Sequence, residues 1–260
     1  QQTRVPTHCV CGSTDIMPLG HGTQRIEAWL KEHLPDYKTV RIDRDSTRGK
    51  DKLPQLLTAI LQGEYQILVG TQMLAKGHHF PRVTLVAVLD ADQGLLSADF
   101  RAAERLGQLI IQVAGRAGRA SLKGVVAIQT HHPEHPLLTQ LINEGYHAFA
   151  HSALQERMQA GLPPSSYMAL LRAESVSEED PISFLQQARS LIPMPTGVQI
   201  LGPIPAPMQR KQGHYRAHLL LQAKTRQDLQ QLLSVWLTIV DSLSVKGLRW
   251  SLDIDPQSLN

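Results

Sequence analysis

Three residues that share one helical face are the best placed for chemistry. In Gln112-Val113-Ala114-Gly115-Arg116-Ala117-Gly118-Arg119, the side chains of Gln112, Arg116 and Arg119 stand at steps of four and three. At those steps helix side chains become neighbours. Two guanidiniums side by side repel each other unless an anion lies between them. A triphosphate fills that role well, because arginine is permanently charged and grips phosphate oxygens in pairs. The alternative is a solvated basic stripe. Gly115 and Gly118 weigh against it: each lowers helix stability by about 1 kcal/mol and admits close approach to the backbone.

A second segment, Gly70-Thr71-Gln72-Met73-Leu74-Ala75-Lys76-Gly77-His78-His79-Phe80-Pro81, directly follows a strand-like run. In parallel sheets, ligands bind past the carboxyl ends of the strands. A Gly-Thr turn there offers backbone N–H groups and a hydroxyl to phosphates, and Lys76 adds charge. An ordinary strand-to-helix turn reads the same way on its own. The clustered histidines His131, His132 and His135 read as surface or capping residues rather than as metal ligands.

These groups need a frame. A cap-like Thr-Gln-Arg-Ile-Glu predicts a helix over 23–34, followed by a strand over 39–43 and a helix over 52–61. Short apolar strands are expected at 66–70, 84–90 and 125–130, with a helix over 100–114 between the last two. Strands alternating with helices give a parallel sheet covered by helices. Residues 133–163 read as mostly helical, closed by Leu162-Pro163-Pro164. Beyond them come strand 167–176, helix 181–191, strands 198–201 and 215–222, helix 227–243 and strand 248–254. That β-α-β-β-α-β order is the split ferredoxin-like pattern. The domains expected are 1–19, 20–132, 133–163 and 164–260.

With 260 residues the chain is long enough for two domains, and 42% hydrophobic residues supply their cores. No apolar run reaches the roughly 18–20 residues that span a bilayer. The opening Gln1-Gln2-Thr3-Arg4-Val5-Pro6 has neither a starting Met nor the apolar stretch of a secretory signal, so a piece of something longer is expected. A formal charge of +3 permits nucleic-acid binding without arguing for it. Only two cysteines, Cys9 and Cys11, give no disulfide framework and fit the cytoplasm.

Taken in order, several segments resemble one family. They are Gly20–Glu27, Arg41–Thr47, the Gly70 segment, Val88-Leu89-Asp90-Ala91-Asp92, Ser97–Arg105 and the Gln112–Arg119 run, followed by Gly202–Pro207 and Asp253–Pro256. Together they resemble the late motifs and C-terminal domain of the primosomal protein N′ family of superfamily 2 helicases, over nearly the whole chain. The resemblance implies a RecA-like second lobe followed by a ferredoxin-like α+β domain. It also implies part of an ATP- and Mg²⁺-dependent 3′→5′ DNA helicase that restarts stalled forks and starts primosome assembly. Arg116 and Arg119 would then be arginine fingers, with Gln112 beside them. Gly70, Thr71, Lys76 and Gly77 would couple nucleotide to DNA. Gly22 and Thr23, opening a helix, would meet a DNA phosphate through free N–H groups.

Partners implied are forked and single-stranded DNA, other primosome proteins and the acidic tail of single-stranded-DNA-binding protein. A carboxylate anchor at Arg226, assisted by Gln230, is expected for that tail, against the plainer reading of a solvated arginine. A monomer is expected. Cys9 and Cys11 resemble the last cysteine pair of the family's zinc module. That module uses a two-residue spacing and four ligands per zinc, whereas one residue separates this pair, so two free thiols are expected here and zinc in the longer protein. No G-x-x-x-x-G-K-[ST] loop and no D-E-x-H box occur, so this chain by itself is expected not to hydrolyse ATP. A non-catalytic DNA- and protein-binding platform is the alternative.

Overall fold

The computed structural model describes residues 22–43, 46–47, 51–71, 80–97, 99–115, 124–192, 197–243 and 245–259. The expectations at Cys9, Cys11, Lys76, Gly77, Arg116 and Arg119 lie outside them. Contacts divide the chain into two units. One is built from described residues within Arg4–Ser97 and Ala102–Phe149. The other is built from those within Ala98–Arg101 and Ala150–Asn260.

The first unit opens with α1 (Thr23–His33), β1 (Thr39–Ile42), α2 (Lys52–Gln62) and β2 (Ile67–Gly70). Gly63, left-handed at φ 85°, ends α2, a position where glycine carries no Cβ penalty. β1 and β2 pair in parallel, Thr39 opposite Ile67 through Ile42 opposite Gly70. Ile42, Ile60 and Phe80 form the core beneath them, with Val40, Leu56, Leu57 and Leu68 packed around.

β3 (Leu85–Val88), the one-turn α3 (Asp92–Leu95), α4 (Ala102–Ala114) and β4 (Val125–Ile128) follow. β3 and β4 are also parallel, Leu85 opposite Val125 through Val88 opposite Ile128. α4 buries Ala102, Leu106, Gly107 and Ile110, positions three or four apart along one stripe. Gly107 is required by its neighbour, since a Cβ there would lie 2.4 Å from Cε1 of Phe149. The expected helical stretch 133–163 resolves into α5 (Pro136–Asn143) and α6 (Tyr146–Gln159), parted by Gly145 at φ 88°.

The second unit holds β5 (Tyr167–Ser175), α7 (Asp180–Ser190), β6 (Val198–Lys211), β7 (His214–Ala223), α8 (Arg226–Ser242) and β8 (Arg249–Ile254). The four strands form an antiparallel sheet in the order β6-β7-β5-β8. This is the ferredoxin-like arrangement that the element order predicts. Alternate residues of β5 and β7 (Ala169, Leu171, Ala173; Ala217, Leu219, Leu221, Ala223) share one core with Phe184, Leu185, Leu229, Leu233, Trp236 and Val240 of the two helices. Trp236 is fully buried and donates its indole N–H to the Ala188 carbonyl at 2.8 Å, so its polar edge is satisfied.

β6 runs to Lys211, ten residues beyond the expected end at 201. Pro203, Pro205 and Pro207 read as breakers, yet an edge strand tolerates residues that donate no hydrogen bond. The ladder accommodates them with register shifts between Leu201 and Ile204 and between Pro205 and Arg210. The β6–β7 hairpin closes on Gln212 and Gly213, both at positive φ (51° and 87°).

Candidate functional site

The carboxyl edge of the β1–β2 pair gathers several of the expected residues. Ile42 stands opposite Gly70, so Asp43 and Thr71 are the next residues out along neighbouring parallel strands. Gly70 and Thr71 are exposed there. The Thr23 hydroxyl joins this edge by donating to Asp43 Oδ2 at 2.8 Å. Gly22 is the N-cap of α1, its carbonyl accepting from Arg25 N at 2.9 Å, and among the described residues no side chain caps the helix. Backbone donors in a first turn with neither a cap nor an acidic residue suit an anion.

Asp43 organises this edge, and the sequence reading gave it no role. It is buried, at 9% exposure. Its Oδ1 accepts from Ser46 N at 2.8 Å, and Arg41 Nη1 lies 3.1 Å from Oδ2. Arg41 Nε in turn lies 3.2 Å from Glu27 of α1. The Ser46 backbone N–H does most to hold the Asp43 carboxyl below its ordinary range. Burial opposes it, and Thr23, the Ser46 hydroxyl and Arg41 reinforce it. Signal for this residue existed in the Arg41–Thr47 segment, but an isolated Asp says nothing about what it accepts from.

Gln112 is exposed in the last turn of α4. The helix therefore presents it outward, four residues before Arg116 in the sequence. Gly115 closes that turn, donating to the Ile111 carbonyl at 3.0 Å. His135 stands at the N-cap of α5, its backbone carbonyl accepting from Leu138 N and Thr139 N, but among the described residues its side chain makes no cap bond. The His131 N–H donates to Asp92 Oδ2 at 2.9 Å. Among the described residues no group of three or more His, Cys, Asp or Glu is arranged to hold a metal. Also among them, no helix is long and apolar enough to cross a membrane.

In the second unit, Thr225 caps α8, accepting from Asp228 N at 3.1 Å and donating to Asp228 Oδ2 at 2.6 Å. Arg226 is already engaged: its Nη2 lies 3.0 Å from Asp255 Oδ2, and its guanidinium sits 5.1 Å from the Tyr167 ring centre. Gln230 is exposed one turn further on. At the far end of the sheet, the β6–β7 hairpin carries Arg210, Lys211, His214 and Arg216. Arg210 lies 5.0 Å over Tyr215. Among the described residues, Lys211 and Arg216 stand in no ion pair.

Two family models match the chain. One is the helicase conserved C-terminal domain, over residues 12–121, and the other is the primosomal protein N C-terminal domain, over residues 158–257. The chain belongs to the primosomal protein N family. Among its relatives, the replication restart protein PriA of Haemophilus influenzae is 49% identical over all of this chain and 36% of its own length. The proteins of the same name from Rickettsia conorii and Bacillus subtilis are 37% and 36% identical, over 92% and 97% of this chain respectively. The chain thus spans about a third of the length of the curated relatives it matches. Within the primosomal protein N family, the first unit corresponds to a RecA-like helicase lobe and the antiparallel sheet to the C-terminal α+β domain.

Proposed function

We propose that this chain is the second motor lobe and C-terminal domain of an ATP-dependent 3′→5′ DNA helicase that restarts stalled forks and initiates primosome assembly in the cytoplasm. The observation that carries the reading is the carboxyl edge of β1 and β2. It sets Thr71, Gly70 and the uncapped start of α1 around one organised carboxylate, Asp43. Such an edge can receive phosphate through backbone N–H groups without a basic side chain.

Each residue has a role on this reading. Gly70 and Thr71, with Lys76 and Gly77, link nucleotide to the DNA strand, and Gly22 with Thr23 meets a DNA phosphate. α4 delivers Gln112 and leads on to Arg116 and Arg119, which stabilise charge building on a γ-phosphate. ATP with Mg²⁺, held by a first lobe, supplies that phosphate. Zinc belongs to the longer protein, where Cys9 and Cys11 would join further thiolates. Lys211 and Arg216 offer further phosphate contacts, and Arg226 with Gln230 receives the acidic tail of single-stranded-DNA-binding protein. Its other partners are forked and single-stranded DNA and the remaining primosome proteins, and the chain acts as a monomer.

The test is DNA-stimulated ATPase. This chain alone should show none, and the chain joined to a first lobe should show it. Arg119→Ala in the joined protein should remove turnover by roughly 10³–10⁵-fold, the worth of an arginine finger. Arg119→Lys should rescue poorly, for want of the bidentate fork. Near-normal turnover by the lysine variant would reduce Arg119 to basic surface.

A further inference from the structure

Gly22, Arg25, Trp29 and His33 follow one another along α1 at steps of three and four, so they lie along one stripe of the helix. The stripe is turned to solvent. Trp29 is 55% exposed, and Arg25 and His33 are exposed with it. Trp29 adds nothing to the core beneath β1 and β2, which Ile42, Ile60 and Phe80 make with their neighbours.

Its ring is nonetheless held in place. Trp29 and His33 stack face to face, their ring centres 4.3 Å apart and their planes 12° from parallel. His33 is fixed in turn by a 2.9 Å hydrogen bond between its Nδ1 and the Trp29 carbonyl. With His33 over one face of the indole, the exposure that remains leaves the other face to solvent. Arg25 lies one turn nearer the start of the helix. Among the described residues it stands in no ion pair, whereas Lys31 is taken up by Glu27 at 2.8 Å.

An ordered ring pair with one open face, beside an unpaired cation, has the chemistry that receives an unstacked base. The base lies on the ring and the cation meets a neighbouring phosphate. A helix that docks into a protein groove needs apolar anchors repeated at three- and four-residue steps. This stripe offers a glycine, an arginine and a histidine at those steps, so a single nucleic-acid strand fits it better than a protein does. Resting on the motor reading above, which puts a DNA phosphate at Gly22 and Thr23, we propose that Trp29, backed by His33, is a stacking platform for one base of a single DNA strand. Arg25 meets a phosphate of the same strand. The strand then runs along α1. From Gly22 to Trp29 the helix rises by about 10 Å, or about three nucleotides at the roughly 3.4 Å spacing of a stacked strand. Every base has a π-face, so the platform accepts any sequence, as a motor requires.

The experiment titrates the chain with an oligothymidylate and with an abasic oligonucleotide of equal length, which keeps the phosphates and lacks the bases. Wild type, Trp29→Ala, Trp29→Phe, His33→Ala and Arg25→Ala are compared, with circular dichroism as the check on folding. Wild type should prefer the thymidylate by roughly tenfold, the scale of one stacked base. Trp29→Ala should bring that ratio to about one. Trp29→Phe should keep most of it, and His33→Ala, which leaves the indole unbacked, should lie between. Arg25→Ala should weaken both ligands and lower the salt dependence by about one phosphate. Tryptophan emission gives a second reading that survives any loss of fold in Trp29→Ala. Of the three tryptophans, Trp236 is fully buried and Trp250 half-buried, so quenching by the thymidylate should vanish in Trp29→Phe. A wild-type ratio near one, an unchanged ratio in Trp29→Ala or quenching retained in Trp29→Phe overturns this inference alone and leaves the phosphate contact at Gly22 and Thr23 standing. Wild type that binds neither oligonucleotide defeats the DNA contact of the motor reading and this inference with it.

Discussion

Gly107→Ala puts two opposing effects on one residue. In the interior of α4, glycine is about 1 kcal/mol worse than alanine, so propensity alone favours the substitution. The added Cβ would, however, sit 2.4 Å from Cε1 and 2.6 Å from Cζ of Phe149, where carbon atoms pack at about 3.5–4.0 Å. The ring must therefore retreat by about 1 Å. Phe149 is only 2% exposed and its ring centre lies 5.8 Å from that of Tyr146, so the retreat compresses its own neighbours. Overpacking of this kind costs about 1–3 kcal/mol, and subtracting the propensity gain leaves a net loss of about 1 kcal/mol and at most about 2. For a unit of this size the unfolding midpoint should fall by about 4 °C per kcal/mol. Circular dichroism melts of the chain give the answer directly. Phe149→Leu should be destabilising alone but should recover stability in the Gly107→Ala background, because the smaller side chain vacates the clash. A Gly107→Ala chain that melts at or above wild type would refute the packing argument and leave propensity as the whole effect.

Three further outcomes follow from the charged groups. The Asp43 carboxyl, held below its ordinary range, contributes stability that is present above about pH 4 and lost as pH falls through its folded value; the urea-unfolding difference between wild type and Asp43→Asn should therefore shrink steadily on acidification below pH 4. His218 is buried beside Arg172 and Arg216, its Nε2 has no hydrogen-bond partner among the described residues, and burial first and the two arginines second push its pKa down to about 4. The unfolded chain thus binds a proton that the folded chain refuses between about pH 6.5 and 4, stability falls as pH drops through that window by up to about 3 kcal/mol, and His218→Leu should flatten the profile there. For the acidic tail peptide, Arg226→Ala should weaken binding by roughly 10-fold or more, the worth of a hydrogen bond to a charged group. Asp255→Asn, which frees the guanidinium, should tighten it, and Lys246→Ala should leave it unchanged in a fluorescence titration; equal binding by all three would remove Arg226 as the anchor.

Elements whose pattern is local were legible from the sequence. The alternation of Ala169, Leu171 and Ala173 against Leu219 and Leu221 gives the antiparallel core, and Thr225 with Asp228 gives the start of α8. Short parallel strands were also found, because most are apolar runs of four residues between helical stretches. The length of β6 was not legible: three prolines read as breakers, and only the sheet partner shows that the strand lies at an edge. Roles made by distant partners were equally hidden. Thr23 and Asp43 lie 20 residues apart, a separation at which no spacing rule operates. Arg226 was legible as a cation near a helix start, but its engagement by Asp255, 29 residues away, was not.

The prolines of β6 have a bearing on how copies of this protein behave in a crowded solution. An open sheet margin is a template for a second chain, and this one exposes Leu201, Ile204 and Met208 at 41%, 59% and 58%, side chains that would reward intermolecular stacking. Pro203, Pro205 and Pro207 withhold three backbone donors from the fourteen-residue strand, and its two register breaks bend whatever donors remain out of a straight line. A foreign strand laid along it would find its carbonyls unanswered at every second position across that stretch. The prolines thus work against fibrillar growth along this margin, and replacing Pro205 and Pro207 by Val would restore two donors to it and favour association edge to edge.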